Sequence, residues 1–316
     1  IQTTAENKKN GGDSMIKILF GTITLSATLR LATPIIIAAV GGSFSHKAGT
    51  FNIAFECFML FGAFFGAYGS YLTGNPMAGA LLAALSGAIL SLVFGLFVFI
   101  LKANPMIISI AMNNGAWAVT TLMLTIVWGV RGSFVSPEIV SFKTLDIPIL
   151  RNIPYIKNIA NNQIILVYMA YAIIIIGTIV MYKTKFGLRV RGIGINDVAA
   201  QTAGVNVEAT KWIALIIMGT MVAFAGAYCP LCGLSTFSEN MTAGRGFLAY
   251  ASVLVGDGNP LISGLIAVVF AYADALMLTL TQKGYPTQLI QTFPYMAVII
   301  VLFVTNLKNF KKSASV

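Results

Sequence analysis

The chain has 316 residues, of which 57% are hydrophobic and only 9% are charged. A soluble globular domain carries about 25% charged residues, and a soluble core of this size could not hide so much apolar surface. The composition therefore excludes a soluble enzyme, a nucleic-acid-binding module and a disordered chain, and it predicts an all-α, polytopic membrane protein.

The formal net charge of +10 does not change this interpretation, because the basic residues lie in short clusters between apolar runs, where membrane proteins place them. The single histidine, His46, excludes metalloprotease motifs, which need at least two histidines. Three cysteines, Cys57, Cys229 and Cys232, give no disulfide framework. We expect Cys229 and Cys232 to be ordinary buried thiols; the alternative is a redox or metal-binding C-x-x-C pair. The sequence contains no G-x-x-x-x-G-K-[ST] motif, and we expect this chain to bind neither a metal nor a cofactor.

Nine apolar segments are candidates for membrane-spanning helices, each of which needs about 20 residues. They lie at 19–41, 50–72, 76–101, 105–128, 163–182, 212–233, 245–257, 261–281 and 288–306. The seventh segment is short, which predicts a broken or re-entrant helix whose backbone is shielded by protein or by a water cavity. Counts of eight to ten spans stay open.

The distribution of Lys and Arg sets the expected orientation. The connection 183–211 and the C-terminal tail hold the main basic clusters, and four spans separate them, so the positive-inside rule places both in the cytoplasm. The N-terminus is then external, His46–Lys47 and Lys102 lie in cytoplasmic loops, and 129–162 is an external loop. A tenth span would move the N-terminus to the inside.

Residues 1–14 are polar and precede Met15. The codons for Asn10–Asp13 can contain a bacterial ribosome-binding sequence, so we expect translation to start at Met15, with a disordered polar tail as the alternative. Residues 15–316 then form one transmembrane domain.

A short pattern occurs twice. Gly74-Asn75-Pro76 and Gly258-Asn259-Pro260 each precede a span rich in small residues, and a basic turn with a proline follows each span. The two copies have opposite orientations on our count, which predicts an inverted-topology repeat with a translocation path at the interface of the two halves. The alternative is that Asn-Pro simply starts helices and the similarity is chance.

The cytoplasmic connection 183–211 contains a second pattern. Asp197 is expected as the N-cap or first-turn acid of a short helix at 198–203, with Gly204 at the C′ position. Such a helix along the membrane face can serve as a docking site for a soluble partner protein. The alternative is a solvated basic loop.

Three stretches carry a family resemblance. FGLRVRGIGINDVAAQTAGVNV at 186–207 resembles the coupling-helix region of bacterial ABC importer permeases. GGSFSHKAGTFNIAFECFMLFGAFFGA at 41–67 and SENMTAGRGFLAYASVLVGDGNP at 238–260 resemble two segments of the branched-chain amino acid and ribose permease superfamily, and most closely its nucleoside-type permeases, which work with basic-membrane-protein lipoproteins. The resemblance covers residues 15–316; Cys57 replaces the usual glycine, and Asp257 stands where a basic or aromatic residue is common.

The resemblance implies a non-catalytic permease subunit of an ATP-driven importer in the bacterial cytoplasmic membrane. A separate ATPase, which carries the ATP and Mg²⁺, would dock on the cytoplasmic connection through Gly187, Arg189, Arg191, Asn196, Asp197, Ala200 and Gly204. A lipoprotein would deliver the substrate from outside, and a second, related permease chain would share the pathway. Purine nucleosides are the expected substrates, with branched-chain amino acids and pentoses as alternatives.

Polar residues inside spans are costly and are therefore functional candidates. The candidates for lining the substrate pathway are Asn52, Glu56, Asn113, Asn114 and Asp274. Asn52 and Glu56 are spaced i and i+4, so we expect them to share a helix face, where they can hydrogen-bond ribose hydroxyls or base edges. The structural alternative is that Arg30 pairs with Glu56 or Asp274 and that the asparagines bond neighbouring helices.

Glu239, Asn240 and Arg245 flank the short seventh span and are candidates for an external vestibule. Arg245 near a helix N-terminus is unfavourable for the helix dipole, which suggests a partner such as Glu239. The alternative is an exposed salt bridge that contributes little.

Two other classes of protein compete with the permease interpretation. An intramembrane aspartyl protease would need Asp257 and Asp274 to share a proton, but about 17 residues separate them, and His46, expected in a loop, leaves no Ser–His pair. A secondary transporter driven by an ion gradient would share the inverted repeat and would use Glu56 and Asp274 to titrate or to hold Na⁺.

Overall fold

The computed structural model describes residues 21–146 and 159–282, together with residues 157, 296, 299 and 303. The described helices are α1 (Thr22–Lys47), α2 (Phe55–Thr73), α3 (Pro76–Gly95, continued by a π-helical turn Leu96–Ile100), α4 (Pro105–Trp128), α5 (Ile165–Lys183), α6 (Lys185–Ile195), α7 (Asp197–Thr202), α8 (Val207–Leu231), α9 (Arg245–Val255) and α10 (Pro260–Gln282). The short strands are β1 (Ser133–Val135), β2 (Thr144–Leu145), β3 (Gln163–Ile164) and β4 (Thr236–Ser238). The expected leader, the C-terminal tail and, apart from three residues, the ninth span lie outside the described residues.

The helices confirm an all-α, polytopic membrane protein. Within the described part of the chain, six helices are long and apolar enough to cross a bilayer: α1, α3 with its π-helical turn, α4, α5, α8 and α10. Helix α2 adds 19 residues, most of them buried. Helix α9 has only 11 residues and would rise about 16 Å, half of a bilayer core, as expected for the short seventh span.

Several span boundaries differ from the sequence expectation; the sixth span, for example, begins at Val207 rather than at residue 212. Two further differences have local causes. The second span begins at Phe55 rather than at residue 50, because side chains bind the backbone of the preceding residues in a non-helical conformation. The expectation of a loop at His46–Lys47 is wrong, since both residues form the last turn of α1. The helix ends only just before Gly49, whose φ of 73° does not fit a right-handed helix.

Residues 33–143 and 164–267 form one compact unit, in which α2, α3 and α8 pack most closely. Their contacts are made at glycines, because a Cβ atom on Gly62 would collide with the backbone of Ala223, and one on Gly87 with the backbone of Gly219. Small residues let helix backbones approach in this way, and the dispersion contacts that result hold membrane helices together.

The two ends of α8 define the two ends of this unit. Beyond the C-terminal end of α8, β4 pairs with β1 in antiparallel register, with Phe134 opposite Phe237. At this end Trp128 stacks on Phe134 with ring centroids 4.7 Å apart. At the other end, the backbone around Lys47 packs against Gly194 of α6, and the Lys47 ammonium lies 2.8 Å from Asp257. We call these the strand end and the α6–α7 end.

Residues 1–32, 144–163 and 268–316 form a second unit, of which part is described. In it the Arg30 guanidinium donates to the Gln163 side-chain oxygen at 3.0 Å and to the Ser26 hydroxyl at 3.4 Å. The Gln163 amide also donates to Ser26 at 3.0 Å. Neutral partners therefore bind the Arg30 guanidinium.

Asn-Pro begins three helices by the same local geometry. The side-chain oxygens of Asn75, Asn104 and Asn259 accept hydrogen bonds from the backbone N–H two residues later, at 2.9 to 3.0 Å. Gly74 and Gly258 precede two of these caps with φ of 66° and 62°. The third cap has no preceding glycine, so Asn-Pro alone marks a helix start, and the evidence for a repeat is the full Gly-Asn-Pro pattern.

Candidate functional site

The expected short helix in the cytoplasmic connection is α7. Asn196 is its N-cap, with the side-chain oxygen accepting from Ala199 N–H at 3.0 Å, and Asp197 is the first-turn acid, paired with Lys211. Gly204 follows the helix with a φ of 82°, a conformation that favours glycine. The sequence therefore identified the helix and its C-terminal glycine and left open whether Asp197 is the N-cap or the first-turn acid; the structure makes it the first-turn acid.

The surface of α6 and α7 combines exposed apolar side chains with basic ones. Ile195 and Val198 are 87% and 69% exposed, and they stand at the junction of the two helices. Arg189 is exposed, and the Arg191 guanidinium lies over the Tyr182 ring at 4.9 Å from its centroid. Exposed apolar residues of this size beside charged ones are typical of a protein interface.

Two glycines that lie against backbone carbonyl groups, together with a buried alanine, fix this surface to the rest of the unit. A Cβ atom on Gly187 would collide with the carbonyl oxygen of Met181, and one on Gly194 with that of Lys47. Ala200 is the buried residue of α7. The predicted coupling residues thus divide into anchors, namely Gly187 and Ala200, and exposed or capping residues.

Two cavities flank α6 and α7. One of about 630 Å³ is lined by Lys102, Gln201, Asn206 and Lys211 among others, and the second, of about 410 Å³, by His46, Lys47, Arg191 and Asp257 among others. Lys102 and the 183–211 connection therefore lie at the same end of the unit as His46–Lys47, as the positive-inside count required.

Glu56 has a site of its own in the first turn of α2. Its side chain is buried, and one carboxylate oxygen accepts hydrogen bonds from the Thr242 hydroxyl and from Gly244 N–H, the latter at 2.9 Å. The other oxygen accepts from Gly246 N–H at 2.8 Å. The carboxylate therefore lies at the N-terminus of α9, where the unpaired N–H groups and the helix dipole favour a negative charge.

Asn52 and Asn113 meet at the start of α2. Asn113 accepts from Cys57 N–H at 2.9 Å and donates to the Ile53 carbonyl oxygen at 3.1 Å. Asn52 accepts from Ala54 N–H at 2.7 Å, while Ser109 accepts from Ile53 N–H at 3.1 Å. The expectation that Asn52 and Glu56 share a helix face is wrong, because Asn52 precedes the helix.

The remaining pathway candidates are placed differently. Asn114 is exposed on α4, next to Asn113, which points the other way toward α2. Asp274 is buried in α10. The partners of Glu56 lie in residues 242–246. They take the place of Arg30, which the structural alternative paired with Glu56.

Of the three vestibule candidates, Glu239 and Asn240 lie between β4 and α9, and Arg245 begins α9. The Glu239 carboxylate accepts from Gly132 N–H at 2.8 Å and so extends the pairing of β1 with β4, and Asn240 is an exposed turn residue with a φ of 52°. Arg245, the first residue of α9, lies against the Cys229 thiol. The structure thus gives Glu239 and Arg245 separate partners.

Cys229 and Cys232 lie at the C-terminal end of α8 and form no disulfide, and the Cys232 thiol donates to the Cys229 carbonyl oxygen at 3.2 Å. Among the residues that the structure describes, no group of three or more His, Cys, Asp or Glu could bind a metal ion.

Sequence reasoning missed Ser109, Thr242 and the N–H groups of Gly244 and Gly246. Their signal was indirect: Glu56 and the Thr242–Gly246 stretch belong to two different segments that carried the family resemblance, and the structure brings these two segments together.

Comparison with known proteins assigns the chain to a family. The chain matches the family described as branched-chain amino acid transport system / permease component over residues 24–303. It is 30% identical to the nucleoside ABC transporter permease protein NupC of Lactococcus lactis, over 89% of this chain and 91% of that protein. It is 29% identical to the guanosine ABC transporter permease protein NupQ of Bacillus subtilis, with the same coverage, and 26% identical to the putative glucose ABC transporter permease protein TsgC13 of Haloferax volcanii, over 90% and 91%.

No solved structure shows a significant match. The membrane-spanning helices, together with the permeases that it resembles, make the chain a multi-pass protein of the cytoplasmic membrane. Because the family match covers most of the sequence, the chain belongs to the branched-chain amino acid transport system / permease component family.

Proposed function

We propose that this chain is the permease subunit of an ATP-driven importer that passes nucleosides inward across the cytoplasmic membrane. The single observation that carries the proposal is the anchored, capped helix α7 with its exposed apolar junction, in a chain whose family is that of permeases. ATP and Mg²⁺ bind a separate ATPase, whose closure tilts the permease and exposes the pathway first to one side and then to the other.

The ATPase docks on Ile195 and Val198. The test is Val198→Asp, which places a charge in the apolar junction, with Val135→Asp as the matched control, because Val135 is 70% exposed at the strand end. Val198→Asp should abolish co-purification of the ATPase co-expressed with the chain, and Val135→Asp should retain it. If the Val198→Asp variant still retains the ATPase, this docking site is wrong. Deleting residues 195–206 should give the same loss while the chain still inserts into the membrane.

The pathway is shared with a second, related permease chain. Helix α4 presents a largely exposed face on which Asn114 stands near the middle of its 24 residues. An amide facing lipid at that depth would lose its hydrogen-bond partners, so this face is better suited to a partner chain or to a hydrated path. Asn114→Leu should therefore lower uptake while ATPase binding is unchanged.

The strand end faces outward and receives a substrate-carrying lipoprotein. Glu239 and Asn240 belong to the surface of this end, between β4 and α9. Replacing Asn240 with tryptophan should weaken binding of the lipoprotein without weakening that of the ATPase, which docks at the other end of α8.

Nucleosides are the proposed substrates because two of the similar proteins carry nucleoside or guanosine in their names, while the glucose permease makes a sugar the first alternative. Uptake of labelled guanosine by cells that express the complete importer should be suppressed by other unlabelled nucleosides. Suppression by excess glucose, ribose or leucine, with none by nucleosides, would assign the importer to another substrate.

The nine-span count and the inverted repeat belong to the same proposal. The six long helices, together with α2, α9 and the segment 288–306, give nine membrane segments. Support for the repeat comes from α2 and α9: each begins after a non-helical segment, and a Gly-Asn-Pro sequence leads from each of them into the next helix. Discontinuous helices in corresponding positions are typical of inverted-repeat transporters.

A further inference from the structure

Helices α2 and α9 share an unusual feature at their first turns. Neither helix has an N-cap side chain of its own, because Ala54 and Gly244 occupy the N-cap positions and make no side-chain cap. The first N–H groups of a helix need acceptors, and at membrane depth water cannot supply them. In both helices the acceptor comes from a side chain of another helix.

The two caps are linked by successive contacts, from α4 to α2 and from α2 to α9. Asn113 and Ser109 lie one turn apart on α4, and they bind the backbone of Ile53 and Cys57, which fixes the start of α2. The first turn of α2 carries Glu56, whose carboxylate binds Gly244 and Gly246 at the start of α9. The position of Glu56 therefore depends on the contacts that Asn113 makes one residue away.

Space around this junction is tight. A Cβ atom on Gly246 would lie 2.5 Å from the Glu56 nitrogen and 2.7 Å from its Cα, so α9 begins in direct contact with the backbone of α2. A shift of the first turn of α2 must therefore move or release the start of α9.

We propose that Asn113 and Glu56 are positioning residues that act in series, such that α4 fixes the start of α2 and α2 fixes the start of α9. Glu56 is then not a substrate ligand, because the two backbone N–H groups and the Thr242 hydroxyl already occupy its carboxylate. The effect on transport rests on the proposed function, whereas the order of the contacts does not.

The first test is amide hydrogen exchange of the purified full-length chain, read in peptides that cover 53–60 and 242–250. Glu56→Gln, which replaces one acceptor oxygen with an amide donor, should speed exchange about tenfold in 242–250 only. Asn113→Ala should speed exchange about tenfold in both peptides. Asn113→Asp keeps the oxygen that binds Cys57 N–H and should largely restore the protection of 242–250.

Matched controls distinguish the proposed series of contacts from a general destabilisation of the chain. Asn114→Ala changes the neighbouring but exposed asparagine, and Glu138→Gln removes a charge from an exposed position; neither should change exchange in the two peptides. Should Glu56→Gln fail to accumulate, Thr242→Val removes one donor at nearly constant volume and should speed exchange in 242–250 alone. Faster exchange in 53–60 but not in 242–250 for Asn113→Ala would overturn the series.

The second test is uptake by the complete importer, normalised to the amount of chain in the membrane. Each single variant, Asn113→Ala and Glu56→Gln, should lower uptake about tenfold, and the double variant should be no worse than the more severe single one, because both act on the start of α9. A loss of about a hundredfold, the product of the two, would contradict a series. If the wild-type chain transports no nucleoside, the proposed function fails while the exchange result still decides the series.

Discussion

Glu56 and Gly246 are 190 residues apart in the sequence, and a 2.8 Å hydrogen bond joins the carboxylate of one to the backbone N–H of the other. A charge-assisted hydrogen bond of this kind contributes about 1.5–3 kcal/mol, about twice as much as a neutral one. The buried carboxylate also avoids the cost of an unpaired charge, because the N-terminus of α9 supplies the compensating positive potential. The Glu56 carboxylate therefore supplies acceptors to the first turn of α9, and the same N–H groups offset the cost of burying its charge.

Gly246→Ala should destabilise the protein, because the added methyl group would overlap the backbone of Glu56. Overpacking of this type costs about 1–3 kcal/mol. The free energy of unfolding of the purified chain in detergent is the measurement. Gly115→Ala is the control, since a Cβ atom there meets nothing within 4 Å and alanine is favoured over glycine in a helix by about 0.5–1 kcal/mol. Equal destabilisation by both variants would contradict the close contact.

Much of the fold could be predicted because it depends on local signals. Apolar length gave the long helices, Asn-Pro gave helix starts, and Asp197 with Gly204 gave a short helix whose ends the structure confirms. These features need no knowledge of distant residues, since the acceptor or the unusual φ lies within a few positions of the helix end.

The partners of Glu56 could not be predicted in the same way. The sequence offers Arg30 as an oppositely charged side chain inside a span, and reasoning from charge alone selects it. The actual donors are two backbone N–H groups and a hydroxyl, and every residue except proline carries such an N–H, so only the fold shows which ones are used. The same reason explains why Asn52 was assigned to a helix that begins three residues later.

The ion pair between Lys47 and Asp257 should contribute little to stability. Its nitrogen and oxygen are 2.8 Å apart, but the Asp257 side chain is 85% exposed, and solvent screens such pairs. A double-mutant cycle with Lys47→Met and Asp257→Asn should give a coupling free energy below about 1 kcal/mol, and the coupling should fall further in 1 M salt. A coupling several times larger that persists in high salt would show that the pair is shielded from solvent.

Trp128→Ala should loosen the strand end. The indole ring stacks on Phe134 and also contacts Tyr71 at a centroid distance of 5.9 Å, so its removal leaves a space among aromatic rings that cannot easily collapse. Truncation of such a residue costs about 3 kcal/mol, measured as the free energy of unfolding in detergent. Trp117→Ala, on the same helix but 55% exposed, should cost less than about 1 kcal/mol.

Chemical labelling should show that the two ends of α8 face opposite sides of the membrane. Val135 and Val198 are 70% and 69% exposed, and the first lies on β1 beyond the C-terminal end of α8, while the second lies on α7, which is tied to the N-terminal end of α8 by the Asp197–Lys211 pair. In a background with the native cysteines replaced by alanine, Val135→Cys should react with an impermeant maleimide in right-side-out vesicles.

Val198→Cys should react only in inverted vesicles, because the connection 183–211 carries the basic cluster that the positive-inside rule keeps in the cytoplasm. The reciprocal design removes differences in intrinsic reactivity, since each cysteine serves as the control of the other. Labelling of Val198→Cys from the outside would reverse the membrane orientation. An ATPase could then no longer reach α7, and the proposed function would fail with it.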